Sequence, residues 1–210
     1  MRGKRLAVLG VVSVVLAGCG DGSESGSDDS VAESPPSHAV LPQRIDRPQG
    51  TPALEPSPSP GANASLSENL EYELRKKTLQ MASAAGDTTA VCPERISGTA
   101  GTKVTCRATY RGLAVTWDVT LGDKPGWSQD YVSFDATPDQ GLITKEGVAR
   151  VLYGNFRDTI DYALCNDIPP AVLAPLNVRS QYSCEVVGKG DQPTGFADPV
   201  RATESGPRVY

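Results

Sequence analysis

Apolar residues recur at two distinct periods along the chain. After Ser65-Leu66-Ser67-Glu68, Leu70, Leu74, Met81 and Ala85 follow near the 3.6-residue spacing of a helix. The Ser-x-x-Glu start is a capping box, in which two otherwise unpaired backbone N–H groups are satisfied reciprocally. Lys76 and Lys77 lie away from the start, as the helix dipole favours, and Gly86-Asp87 ends the run. Alternation then takes over. Val104, Cys106 and Ala108 share one face of Thr102–Tyr110, and Val115, Trp117, Val119 and Leu121 share one face of Leu113–Leu121. Val132, Phe134 and Ala136 alternate within Trp127–Ala136. Arg111-Gly112 and Gly122–Gly126 are the turns between these strands, which reads as an antiparallel meander with one buried face.

Helical spacing returns from Thr144, with Val148, Val151, Leu152, Phe156, Ile160 and Ala163 on the apolar side. A proline-rich connection, Pro169-Pro170 to Pro175, leads to a strand over Asn177–Val187 carrying Val178, Tyr182, Cys184 and Val186 on one face. Phe196–Thr203 reads as an edge strand, because Pro199 lacks the N–H that a central strand must donate. The fold class predicted is α+β, a helix packed on an antiparallel sheet: two tandem copies if the recurring order of helix, cysteine and strand is a true repeat, or one domain with two helices on a single sheet if it is a coincidence. Residues 65–140 form a first helix-plus-meander module and residues 141–210 a second, divergent helix-plus-strand module. In each, a helix precedes a cysteine, an irregular loop, and a second cysteine within a strand: Val104-Thr105-Cys106-Arg107-Ala108 and Tyr182-Ser183-Cys184-Glu185-Val186.

Five cysteines occur in the 210 residues. Four of them, Cys92, Cys106, Cys165 and Cys184, lie in the two modules and read as two disulfides of an exported chain. Four cysteines permit three connectivities. The repeat favours the local one, Cys92 with Cys106 and Cys165 with Cys184, as one staple per module. No C-x-x-C is present and the single histidine is His38, so neither a metal site nor a redox pair is expected.

The fifth, Cys19, follows a basic start (Arg2, Lys4, Arg5) and an apolar run from Leu6 to Leu16. That run is far shorter than the roughly 20 residues that cross a bilayer. Leu16-Ala17-Gly18-Cys19 resembles a bacterial lipoprotein lipobox. The resemblance implies a signal peptide over residues 1–18, diacylglycerol on the Cys19 sulfur, and a mature chain held on the outer face of the cell membrane. Residues 19–64 read as a lipidated, disordered tether, since eight of the seventeen prolines fall between Pro35 and Pro60 and Gly, Ser, Asp and Glu dominate before them. As a flexible coil such a tether spans on the order of 40 Å.

The net charge of −5 becomes more negative once the three basic residues of the leader are removed. That opposes nucleic-acid binding, which calls for a basic patch. The modules contain no histidine, no G-x-S-x-G elbow and no phosphate-binding glycine loop, so no catalytic residue and no cofactor are assigned. Asp158 and Asp161, with Asn155 one turn earlier, would share a helix face able to hold a cation, although solvated helix acids are far commoner. Tyr110, Trp127 and Tyr131 form a candidate aromatic binding surface. The alternative for Trp127 is packing under the meander turn.

Val91-Cys92-Pro93, Gly101-Thr102-Lys103-Val104-Thr105-Cys106-Arg107-Ala108, Gly112 and Val115-Thr116-Trp117-Asp118-Val119 together resemble a family of small actinobacterial envelope domains of unknown function. The likeness covers about residues 67–136. It implies an extracytoplasmic, lipoprotein-borne domain and carries over no catalytic residue. The second copy departs from the pattern, with Asn166 after Cys165 and proline only at Pro169. The expected function is a surface-anchored, non-catalytic binding or interaction module whose partner is an envelope protein or ligand. The alternatives are an inhibitor of a secreted hydrolase, in outline similar to proteinaceous β-lactamase inhibitors, and a carboxylate-based envelope enzyme.

Overall fold

The computed structural model describes residues 39–124, 126 and 132–210. Cys19, Trp127, Tyr131 and the leader lie outside them. In chain order the elements are β1 (Gln43–Ile45), α1 (Leu66–Ala82), β2 (Thr88–Val91), β3 (Lys103–Tyr110), β4 (Leu113–Leu121), β5 (Phe134–Pro138) and β6 (Gly141–Ile143). There follow α2 (Lys145–Phe156), β7 (Ile160–Cys165), β8 (Val172–Ala174), β9 (Arg179–Gly188), β10 (Asp198–Arg201) and β11 (Arg208–Val209). The fold is α+β, with antiparallel sheets and two disulfides.

The first module stacks α1 on a four-stranded sheet of order β2-β3-β4-β5. Alternation fixes its inner face: Cys106 and Ala108 of β3 oppose Trp117 and Val115 of β4 in register. Leu70, Leu74 and Met81 of α1 close the core from above. The Ser65 capping box forms as the sequence predicts, with Glu68 N–H donating to Ser65 Oγ and Ser65 N–H to Glu68 Oε2. Tyr110 continues the buried phase of Cys106 and Ala108 and is fully buried. Its hydroxyl donates to Ala85 O at 3.0 Å. It is therefore a core residue, which corrects its assignment to an exposed aromatic surface.

The second module repeats the order. α2 precedes a sheet of order β7-β9-β10-β11, so β7 stands where β2 does and β9 where β3 does. Each module carries its disulfide between the end of its first strand and the middle of its second. Cys92 is bonded to Cys106, 14 residues on, and Cys165 to Cys184, 19 residues on. Loops of this length remove about 3 kcal/mol of unfolded-state entropy each on the chain-entropy model.

Three expectations are corrected. α2 stops at Phe156, with Arg157 at a positive φ of 45°, and Ile160 and Ala163 belong to β7. A register shift between Ile160 and Tyr162 lets residues three apart reach the same core, which imitates helical spacing. Asp158 and Asp161 consequently share no helix face, and among the described residues no acid cluster has metal-holding geometry. Pro199 is not on an edge: β10 lies between β9 and β11, and a register shift between Pro199 and Arg201 accommodates it.

The third correction concerns the tether. Residues 39–64 are docked. β1 extends the second sheet antiparallel to β7, pairing Gln43, Arg44 and Ile45 with Cys165, Leu164 and Ala163. The Gln43 side chain accepts from Ile168 N–H and donates to Ile168 O. Tyr153 donates its hydroxyl to Ile45 O at 2.8 Å, and Arg150 donates to Gly50 O. Further on, Glu55 accepts from Tyr72 and pairs with Lys76 at 2.8 Å, while Arg75 donates to Ser57 O. Averaged composition hides the few apolar positions that matter: Ile45 is 1% exposed in the second core, and Leu54 packs on the first.

The two modules are joined where β6 pairs with β8. Leu142 enters the first core and its neighbour Ile143 the second. The next residue, Thr144, caps α2 by accepting from Gly147 N–H and donates to Ala82 O at the end of α1. Gly147 is required there, because a Cβ would stand 2.5 Å from Ala82 O. Replacing Ile45→Ala should cost about 2–5 kcal/mol and loosen β7 and β9 before β3 and β4. Chemical denaturation with residue-resolved amide exchange measures both; an unchanged stability would show that β1 is not an integral strand.

Candidate functional site

β9 runs from Arg179 to Gly188, whereas β10 pairs with it only as far as Cys184. Past that point, among the described residues, no strand lies on the β10 side of β9, and the segment from Lys189 to Ala197 follows there, with Thr194 and Gly195 bonded to Glu185. The mismatch leaves an open cavity of about 450 Å³. Leu152 and Phe156, at the end of α2, form one wall; Val186 and Val209 form the apolar floor; Thr194 and Phe196 form the opposite wall. A second depression shares Phe156, Val186, Gly188 and Asp191 and continues the groove toward Lys189. Phe156 is 43% and Phe196 71% exposed, although both are large apolar side chains. Exposed aromatics around a concavity mark contact surfaces more often than isolated exposed residues do.

Glu185 holds the groove's crossing segment in place. Its side chain points to the face opposite Cys184 and Val186 and is only 5% exposed. One carboxylate oxygen accepts from the Thr194 N–H and hydroxyl, the other from Gly195 N–H at 3.0 Å. Burial alone would raise the Glu185 pKa; the hydrogen bonds from Thr194 and Gly195 outweigh it and hold the carboxyl below its ordinary value. With its lone pairs occupied in this way, Glu185 anchors the loop and is not a free base. Asp191 and Asp198 lie on the same groove and make its rim acidic.

Among the residues singled out from sequence, the four module cysteines form the two disulfides, and Tyr110 is buried in the first core. Cys19, Trp127 and Tyr131 lie outside the described residues. The groove draws on residues that periodicity assigned otherwise. Phe156 reads as the apolar side of a longer helix. Glu185 lies between Cys184 and Val186, which share the apolar face of the strand, and no role is assigned to it from sequence. A usable signal was present in Thr194-Gly195, a hydroxyl followed by a free-turning glycine soon after an acid between two apolar strand positions. No helix among the described residues is long and apolar enough to cross a membrane. No family model, curated protein or solved structure matches the chain.

A carboxyl with a lowered native pKa contributes stability above its unfolded pKa and loses it as pH falls through the native value. The amides of Thr194 and Gly195 should therefore lose exchange protection in acid below the usual carboxylate range. In Glu185→Gln their protection should be weaker at neutral pH and independent of pH over that range. A Gln variant that keeps the same acid-dependent opening would assign the effect to another group.

Proposed function

We propose that this chain is a non-catalytic binding module held on the outer face of the cell membrane by a lipid on Cys19, and that the groove beside Glu185 is its contact surface. The observation that carries the binding reading is the open groove, with Phe156 and Phe196 exposed on a cavity of about 450 Å³. Its apolar floor and acidic rim, Asp191 and Asp198, suit an apolar segment that ends in a basic group. Two disulfides are characteristic of an extracytoplasmic domain. The lipobox-like Leu16-Ala17-Gly18-Cys19 supports attachment to the membrane surface.

The docked course of residues 39–64 changes the geometry of this reading. Residues 39–64 pack on the two modules and so belong to the folded part. A photo-cross-linking amino acid at Gln192, in the full chain on cells, tests the proposal. It should give a discrete adduct that Phe156→Asp abolishes, and Cys19→Ser should move the chain out of the membrane fraction with loss of fatty-acid labelling. Adducts indifferent to Phe156→Asp would remove the groove as the contact surface. Undiminished labelling in Cys19→Ser would remove the anchor.

A further inference from the structure

The two modules share an element order but differ at one edge. In the second module the outer edge of β7 is covered by β1, which adds antiparallel to it. In the first module the equivalent strand is β2: it follows the helix, precedes the first cysteine and pairs with the strand carrying the second. Among the described residues its outer edge has no strand beside it.

The direction of its backbone groups follows from the register. Asp87 O accepts from Arg111 N–H at 2.9 Å, and the pairing continues as Thr88 with Tyr110, Thr89 with Thr109, and Ala90 with Ala108. Antiparallel pairs alternate between exchanging hydrogen bonds and not exchanging them. Thr89 therefore bonds inward to β3, and Thr88 and Ala90 turn their N–H and C=O groups outward. The next outward group, Cys92 N–H, is taken by Glu71 at 2.9 Å, which ends the open edge.

A groove of about 560 Å³ runs along this edge. Thr88 and Ala90 form one wall, Glu68 and Glu71 of α1 lie along it, and Ser57–Gly61 closes the far side. That closing segment is fixed to α1, with Arg75 donating to Ser57 O. Arg75 also lines the groove and keeps its positive charge while donating to backbone carbonyls; the two carboxylates against this one guanidinium leave the lining net negative. We propose that the edge of β2 is a strand-addition site that takes a single extended, basic segment of a partner polypeptide, antiparallel to β2. Backbone groups of Thr88 and Ala90 would supply affinity, and Glu68 and Glu71 the preference for a basic side chain. This site is separate from the groove beside Glu185, and either can fail without the other.

The probe is a synthetic peptide reproducing Val40–Arg47, the basic extended strand that this chain lays on the equivalent edge of β7. It is added at millimolar concentration to the full lipidated chain in detergent, and amide exchange is read residue by residue. Exchange of Thr88 and Ala90 should slow about tenfold, as expected at ten times the dissociation constant, with β3 and β4 amides unchanged. Ala90→Pro removes an outward N–H without touching the β2–β3 bonds, and should abolish the slowing. A peptide with glutamates in place of both arginines should not produce it. No slowing at Thr88 and Ala90 with the basic peptide overturns the proposal, as does slowing confined to β7 or equal slowing by the acidic peptide. The wild-type measurement decides even if Ala90→Pro does not fold.

Discussion

Leu142 and Ile143 are adjacent in one short strand and belong to different hydrophobic cores. A β-strand sends successive side chains to opposite faces, so a strand placed between two cores must serve both. The rest of the structure depends on that constraint. Each module alone is a short helix on a small sheet, a size at which apolar burial leaves little margin over conformational entropy. β6 lets the modules share a wall, and Thr144 fixes the end of α1 to the start of α2 through its buried hydroxyl. At the far side β1, which precedes α1 in sequence, completes the sheet that packs on α2. The chain thus crosses between the modules in both directions. The disulfides act within each module, tying its first strand to its second.

The parts legible in the sequence are those where one local rule operates alone. The capping box at Ser65 opens α1, Thr144 opens α2, and the alternation around Cys106 and Trp117 defines β3 and β4 with the correct face inward. The helix–cysteine–strand repeat led to the observed cysteine pairing, because a staple between neighbouring strands needs little more than that order. The parts that were not legible depend on partners distant in sequence. β1, β6 and β8 have three residues each and acquire their meaning only from the strands they meet. Ile45 is invisible among prolines until β7 is placed beside it. The bulge at the start of β7 gave Ile160 and Ala163 a helical spacing that no local rule would contradict.

Both surfaces proposed for binding arise where the duplicated order is imperfect. β9 outruns β10, and the uncovered end becomes a groove floored by Val186 and Val209. Among the described residues β2 lacks the neighbour that β7 has, and that edge becomes a line of outward backbone groups. Neither surface uses a distinctive residue type, which is why composition and motif point to neither. Glu185 illustrates the same limit: its role comes from three donors that a crossing loop brings to it, and its position in the alternation is that of an ordinary surface acid.

The central claim is that the two modules fold as one interlocked unit. Trp117 is buried in the first core, so its fluorescence reports that half. Urea unfolding followed by tryptophan fluorescence, and in parallel by exchange of the Ala163 and Val186 amides in the second sheet, compares the halves directly. Coincident transitions are the mark of a single cooperative unit, and the shared strand β6 and the exchanged strand β1 predict them. Separate midpoints, with the second sheet opening while tryptophan fluorescence stays native, would mean two independent modules and would contradict the account.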